Sequence, residues 1–155
     1  MLFQRINRSD PEKIFVIAKN SYATASLTNG MAVIWDYVTD QDGVGVTKAG
    51  AGSAKHGGSP AAGVAAETIA AGSYGIVQVY GYHAAVRGHA GTGGLSAATG
   101  IPLALVDAEF AVGSIDVSQA STAVIRVWYP MGFSMGLATS LFTTTTGKVF
   151  IKCLG

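Results

Sequence analysis

Charge is scarce in this sequence. Asp, Glu, Lys and Arg together make up 12% of its 155 residues, against roughly 25% in ordinary soluble domains. Ten basic and nine acidic residues are scattered to a net charge of +1, and no run of Lys or Arg occurs. Binding nucleic acid by neutralising phosphates requires a basic face, so no nucleic-acid partner is expected. Cysteine is nearly absent as well. The single Cys153 excludes an internal disulfide and suits synthesis in a reducing compartment. In the run VFIKC it reads as a small core hydrophobe, not a nucleophile. Long apolar runs are missing too: no stretch approaches the ~20 residues a spanning helix needs, so no membrane partner is expected. The opening MLFQRINRSDPEK carries charges where a secretory signal would hold an apolar stretch of about 7–15 residues. Yet 49% of the residues are hydrophobic and the mean hydropathy is +0.38. A chain this apolar without a membrane span is expected to hide surface against other subunits.

The residue sets that carry chemistry are also incomplete. Gly132-Phe133-Ser134-Met135-Gly136 spells G-x-S-x-G, the strand-to-helix elbow that exposes a nucleophilic serine in α/β-hydrolases. That mechanism needs an acid and a histidine later in the chain, and no Asp, Glu or His follows Ser134. The three histidines, His56, His83 and His89, form no HxxxH or HExxH pair, so they read as exposed or hydrogen-bonded loop residues and not as metal ligands. Gly147-Lys148 lacks both the earlier glycine and the following Ser or Thr of a phosphate-binding loop. Glu67, Glu109, Asp107 and Asp116 show no pairing that would poise a general acid. The chain is therefore expected to be no enzyme, with no catalytic, cofactor-binding or metal-binding residues and no cofactor.

What is present is β-signal. Residues 14–18, 31–39, 74–82, 101–106, 123–129 and 149–153 are short runs rich in Val, Ile, Tyr, Phe and Trp, bounded by Gly, Asn, Asp, Ser or Pro. In 149–153, Val149, Ile151 and Cys153 share one face while Phe150 and Lys152 share the other; in 123–129, Ile125 and Val127 face a core and Arg126 points away. Asn29-Gly30 and Asp42-Gly43 are turn dipeptides, and Ala71-Gly72-Ser73 suggests a hairpin. Residues 60–71 read as an extended strand over about 63–70 or as a short helix beginning at Pro60. The glycine-rich stretches 43–58 and 88–100 read as loops, and His83 and His89 flank a bend. The fold class expected is all-β, an antiparallel β-sandwich or small, jelly-roll-like β-barrel with glycine-rich loops. It comprises an N-terminal arm over 1–12 and one β domain over 13–155.

Candidate contact residues follow from the aromatics. Tyr74, Tyr80 and Tyr82 share one face of the 74–82 strand with Ile76 and Gln78, over small residues on the other. They read either as cross-strand packing or as an interface, where Tyr and Trp are enriched. Trp35 and Trp128 divide in the same way. The arm offers Leu2, Phe3 and Ile6, either frayed or docked on a neighbour.

Three stretches carry a family resemblance: GVAAETIAAGSYGIVQVYGYHAAVRGHAGTGG, the terminal GKVFIKCLG, and the opening KIFVIAKNSYATASLTNGMAVIWD. Their order of strand, A-G-x-Y-G turn, V-Q-V-Y-G strand, G-x-A segment and closing strand resembles small virion proteins of tailed bacteriophages, in particular capsid decoration or cement proteins. The resemblance implies a β-protein assembled in the bacterial cytoplasm. It would bind the major capsid protein on the outside of the head as a homo-oligomer, a trimer by analogy, and brace the lattice. No catalytic residue comes with it. Another virion component, such as a head-fibre base or tail protein, fits the same residues. So does a glycan- or host-surface-binding module built around Tyr80, Tyr82 and Trp128.

Overall fold

The structure, a computed structural model, describes residues 12–49, 61–88, 102–105, 110–114, 132–134 and 145–153. Among these lie nine strands: β1 (Ile14–Asn20), β2 (Ala32–Trp35), β3 (Gly45–Thr47), β4 (Ala61–Ala65), β5 (Tyr74–Gly88), β6 (Pro102–Leu105), β7 (Val112–Ser114), β8 (Gly132–Ser134) and β9 (Thr145–Lys152). The fold is all-β. Strands β1-β3-β2-β4-β5 pair in that order, and β1 pairs again with β5, which closes a five-stranded barrel. The barrel is mixed, not antiparallel throughout as the sequence suggested, because β1 and β3 run parallel. A second parallel pairing joins β5 to β7. Beyond the barrel, β5 pairs with β9, and β7-β6-β8-β9 complete a second circuit of hydrogen-bonded neighbours.

Two hydrophobic cores follow from the two circuits. The first gathers Leu27, Val33, Val46, Ile69, Val77 and Phe110, with Trp35 and Met31 packed against it. The second gathers Ala32, Val64, Val86, Leu103, Val149 and Ile151. Strands β2 and β4 divide them: Val33 and Ala65 face the first core, Ala32 and Val64 the second. A strand buried on both faces has no polar positions to alternate with its apolar ones, which is why AVIW and AAGVA read as unbroken apolar runs. Small residues in β4 let the two cores approach, and Gly63 sits at a bulge where β2 slips register between Val33 and Ile34.

Strand β5 is the shared wall, and it runs 15 residues, longer than the nine in 74–82. The expected bend over 84–88 is strand, irregular only where its register to β9 shifts between His83 and Val86. Earlier in the strand, Gly81 has a φ of 98°, and the close approach of the Glu12 carbonyl leaves no room for a Cβ. The buried Gln78 amide reaches across Gly81, donating to the carbonyls of Tyr80 and Tyr82 at 3.1 Å each, so a polar side chain in the interior meets its requirement for partners.

Other boundaries moved for local reasons. β2 stops at Trp35 because Asp36 caps a turn: its carboxylate accepts the Thr39 N–H at 3.2 Å and the Thr39 hydroxyl. The strand expected over 63–70 ends at Ala65, and no helix forms. The Glu67 carboxylate then accepts the Ile76 N–H at 2.8 Å, taking the part of a backbone carbonyl, and Ile69 rejoins the sheet as a bridge to Leu27. Strand β3 lies inside a stretch expected to be loop. The run 123–129 lies outside the described residues.

Candidate interaction surface

In the closed barrel β1 pairs with β5 from Ile14 to Lys19 and with β3 at Lys19 and Asn20, the described pairings of its two sides. What it can offer is its outer face. Ala18 points into the first core while Phe15 and Ile17 point out, Ile17 with 73% of its surface exposed. On the antiparallel neighbour, Ile76 stands directly opposite Ile17, and Tyr74 opposite Lys19. Residues directly opposite on adjacent strands share a face of the sheet. Phe15, Ile17, Ile76 and the 63%-exposed Tyr74 thus form an apolar ladder on the outside of the barrel. Phe15, Val16, Ile17, Ala66, Glu67 and Ile76 line a recess in it of about 330 Å³. Isolated exposed apolar side chains are ordinary on protein surfaces; a contiguous group is the signature of a contact site. Fully burying an exposed side chain of this size contributes about 1.5–3 kcal/mol, and covering these, 41–73% exposed, correspondingly less.

The tyrosines expected to share a site are divided between two places. Tyr74 belongs to the ladder. Tyr80 and Tyr82 lie beyond it where β5 changes partner from β1 to β9, and both are half-buried. The Tyr80 ring meets Phe150 edge-on at 5.2 Å, an arrangement that favours packing. Leu2, Phe3, Ile6 and Trp128 lie outside the described residues, as do His56 and His89. Sequence reasoning passed over Phe15 and Ile17 as interface residues. The available signal was IFVIA itself, a strand with apolar residues at outward as well as inward positions.

A second, polar recess of about 430 Å³ lies beside Tyr74, lined among others by Lys19, Asn20, Ser21, Asp40 and Asp42. Asn20 on its wall is fully buried and wholly engaged: its amide donates to the carbonyls of Ala25 at 3.1 Å and Ile69 at 3.0 Å, and its oxygen accepts the Tyr22 N–H. It holds the loop after β1 in place. Nearby, Tyr22 stacks edge-on against Phe110 at 5.0 Å with the Lys48 ammonium 5.0 Å above its ring. Hydrogen bonds to Thr24 and Lys48 hold the Tyr22 hydroxyl below its usual pKa.

His83 is buried in strand and not in a loop, with hydrogen bonds to Asn29 and to the Ala85 N–H. Cys153 packs against the second core, and burial pushes its thiol up to about 12, so at neutral pH it is not the reactive thiolate. Gly132–Ser134 is strand, with Ser134 opposite Val149. Among the described residues no three His, Cys, Asp or Glu side chains cluster to hold a metal, and no helix is long and apolar enough to cross a membrane. Compared with known proteins, the chain matches no family model, no curated protein and no solved structure.

Proposed function

We propose that this protein is a structural subunit of a tailed-phage virion, a decoration protein that seats the β1–β5 face on the outer surface of the capsid shell and stabilises it. The observation that carries the reading is the exposed ladder of Phe15, Ile17, Tyr74 and Ile76 on a barrel closed through β1 and β5. A contact made by side chains on the outer face of the barrel is favoured by apolar residues at positions a solitary domain would make polar. The low charge and high apolar content of the chain agree with a part that works among neighbours, and the resemblance of its strand-and-turn pattern to small virion proteins supplies the kind of neighbour. The partners on this reading are the major capsid protein and further copies of the chain, as a trimer. Subunits that bind only the assembled shell add their binding free energy to its stability, and symmetric placement multiplies modest contacts.

The test is co-sedimentation with expanded phage capsids, paired with light scattering on the free protein. The wild type is expected to bind the capsids and raise their thermal tolerance, and Ile17→Asp to remain folded and bind at least tenfold more weakly. Failure of the wild type to bind the capsid of any phage encoding such a chain overturns the capsid reading. Equal binding by Ile17→Asp removes the β1–β5 face from it.

A further inference from the structure

His83 is 8% exposed and sits where β5 leaves its regular register with β9, between His83 and Val86. Both ring nitrogens are engaged. Nδ1 accepts the Ala85 N–H at 3.1 Å and so carries no proton of its own; Nε2, which holds the ring proton, donates to Asn29 Oδ1 at 3.2 Å. The tautomer follows from this pattern of partners. Asn29 opens the turn whose next residue, Gly30, donates its N–H to the Ala65 carbonyl at 2.9 Å and accepts the Arg87 N–H at 2.8 Å. Gly30 has a φ of 90° and lies hard against the Ala85 carbonyl. The imidazole therefore ties the irregular part of β5 to the turn that leads into β2. It does so at the seam between the barrel and the second circuit.

This arrangement works for the neutral ring only. A second proton on Nδ1 would set N–H against the Ala85 N–H, turning an acceptor into a donor facing a donor. The surrounding charges do not relieve it. Glu12 and Lys13 run past Gly81 ahead of β1, Arg87 follows on β5 itself, and β9 sets Val149 opposite His83 with Lys148 and Lys152 exposed on either side. The turn contributes the neutral Asn29. Burial first, and the Lys13 charge second, hold the ring's pKa below its ordinary value.

We propose that His83 is an acid-released latch, and that its protonation detaches the Asn29-Gly30 turn from β5 and loosens the seam between the two circuits. The unfolded or unlatched ring titrates near 6.5 and the latched ring lower. The stabilisation is thus complete above about pH 6.5 and is lost as pH falls from there through the latched value.

Amide hydrogen exchange between pH 7.5 and 5, corrected for intrinsic rates and combined with NMR of the His83 ring nitrogens, tests this. At pH 7.5 the ring is expected as the Nε2–H tautomer. Below about pH 6.5 the opening constants reported by the Gly30, Ala85 and Arg87 amides are expected to rise together, by up to about tenfold per pH unit. Those of Lys19 and Asp36 in the barrel should lag behind. His83→Gln, which keeps a donor for Asn29 but has no proton to gain, is expected to abolish that pH dependence. The latch is overturned if His83 takes up a proton while those three amides keep their protection. Should the variant fail to fold, the wild-type titration decides the matter alone.

Discussion

The two circuits share β5 but are closed in different ways. The barrel is sealed by six residue pairs between β1 and β5, whereas the described part of the second circuit meets β5 on its parallel side at the single pair Gly88 and Val112. Their interiors differ as well. Among the described residues the barrel core holds Leu27, Ile69 and Phe110 beside three valines and three alanines, with Tyr22, Met31 and Trp35 around it; the second holds Leu103 and Ile151 beside four valines and Ala32. Larger side chains bury more apolar area per residue, and area sets the hydrophobic contribution. Among the described residues the barrel closes on β5 through more pairs, and local opening is expected first where the second circuit meets β5 at Gly88 and Val112.

Matched leucines break or confirm this contrast with the largest effect. Leu27→Ala and Leu103→Ala each remove a fully buried side chain, and each should cost about 2–5 kcal/mol. For Leu27→Ala the loss is expected in denaturant unfolding of the whole molecule, because the barrel strands β2 and β4 also supply Ala32 and Val64 to the second core. For Leu103→Ala hydrogen exchange should rise mainly over β6, β7 and β9 while β1 and β2 keep most of their protection. Equal loss of protection in both halves by Leu103→Ala would show that the circuits open as one unit.

The positive-φ glycine of the strand that serves both halves gives the next prediction. Gly81→Ala places a methyl group against the Glu12 carbonyl at a φ of 98°. The conformation alone costs roughly 1–2 kcal/mol and crowding adds about 1–3. A fall in stability of about 2–5 kcal/mol by urea denaturation is therefore expected. Loss should fall on both halves together, unlike that of Leu103→Ala. A neutral Gly81→Ala would mean that the Glu12 segment can move away from β5 at no cost.

The same contrast accounts for what could be read from the sequence. β9 was plain in it: Val149 and Ile151 are buried and Lys152 is exposed, the alternation of a strand with one face to a core. The turns at Asn29-Gly30 and Asp42-Gly43 also stand where their residue types put them. What escaped were features fixed by distant partners. β3 lies in a glycine-rich stretch with no strand signal. Gly45 is needed there because Ser21 and Asp40 close over it, a constraint that local pattern does not express. Its parallel pairing with β1 is equally non-local. His83 looks like a loop residue in the sequence because the expected bend hides a strand that continues to Gly88. Of the candidate site, Tyr74 was legible and Phe15 and Ile17 were not. An apolar outward residue looks the same in sequence whether a core or a partner covers it.

The smallest effect on stability tests that last ambiguity. Ile17→Ser changes a side chain that lies on the outside of the barrel with no core behind it, and unfolding free energy should move by no more than about 0.5 kcal/mol. Its neighbour Ala18 is fully buried in the first core, and Ala18→Ser should cost about 1–3 kcal/mol by leaving a hydroxyl without water. Adjacent residues of one strand would then separate the two roles of an apolar side chain: the inward one sets whether the barrel stands, the outward one what it touches. If Ile17→Ser destabilised the free protein as much as Ala18→Ser, Ile17 would belong to the fold, and the ladder would lose its most exposed rung as a contact residue.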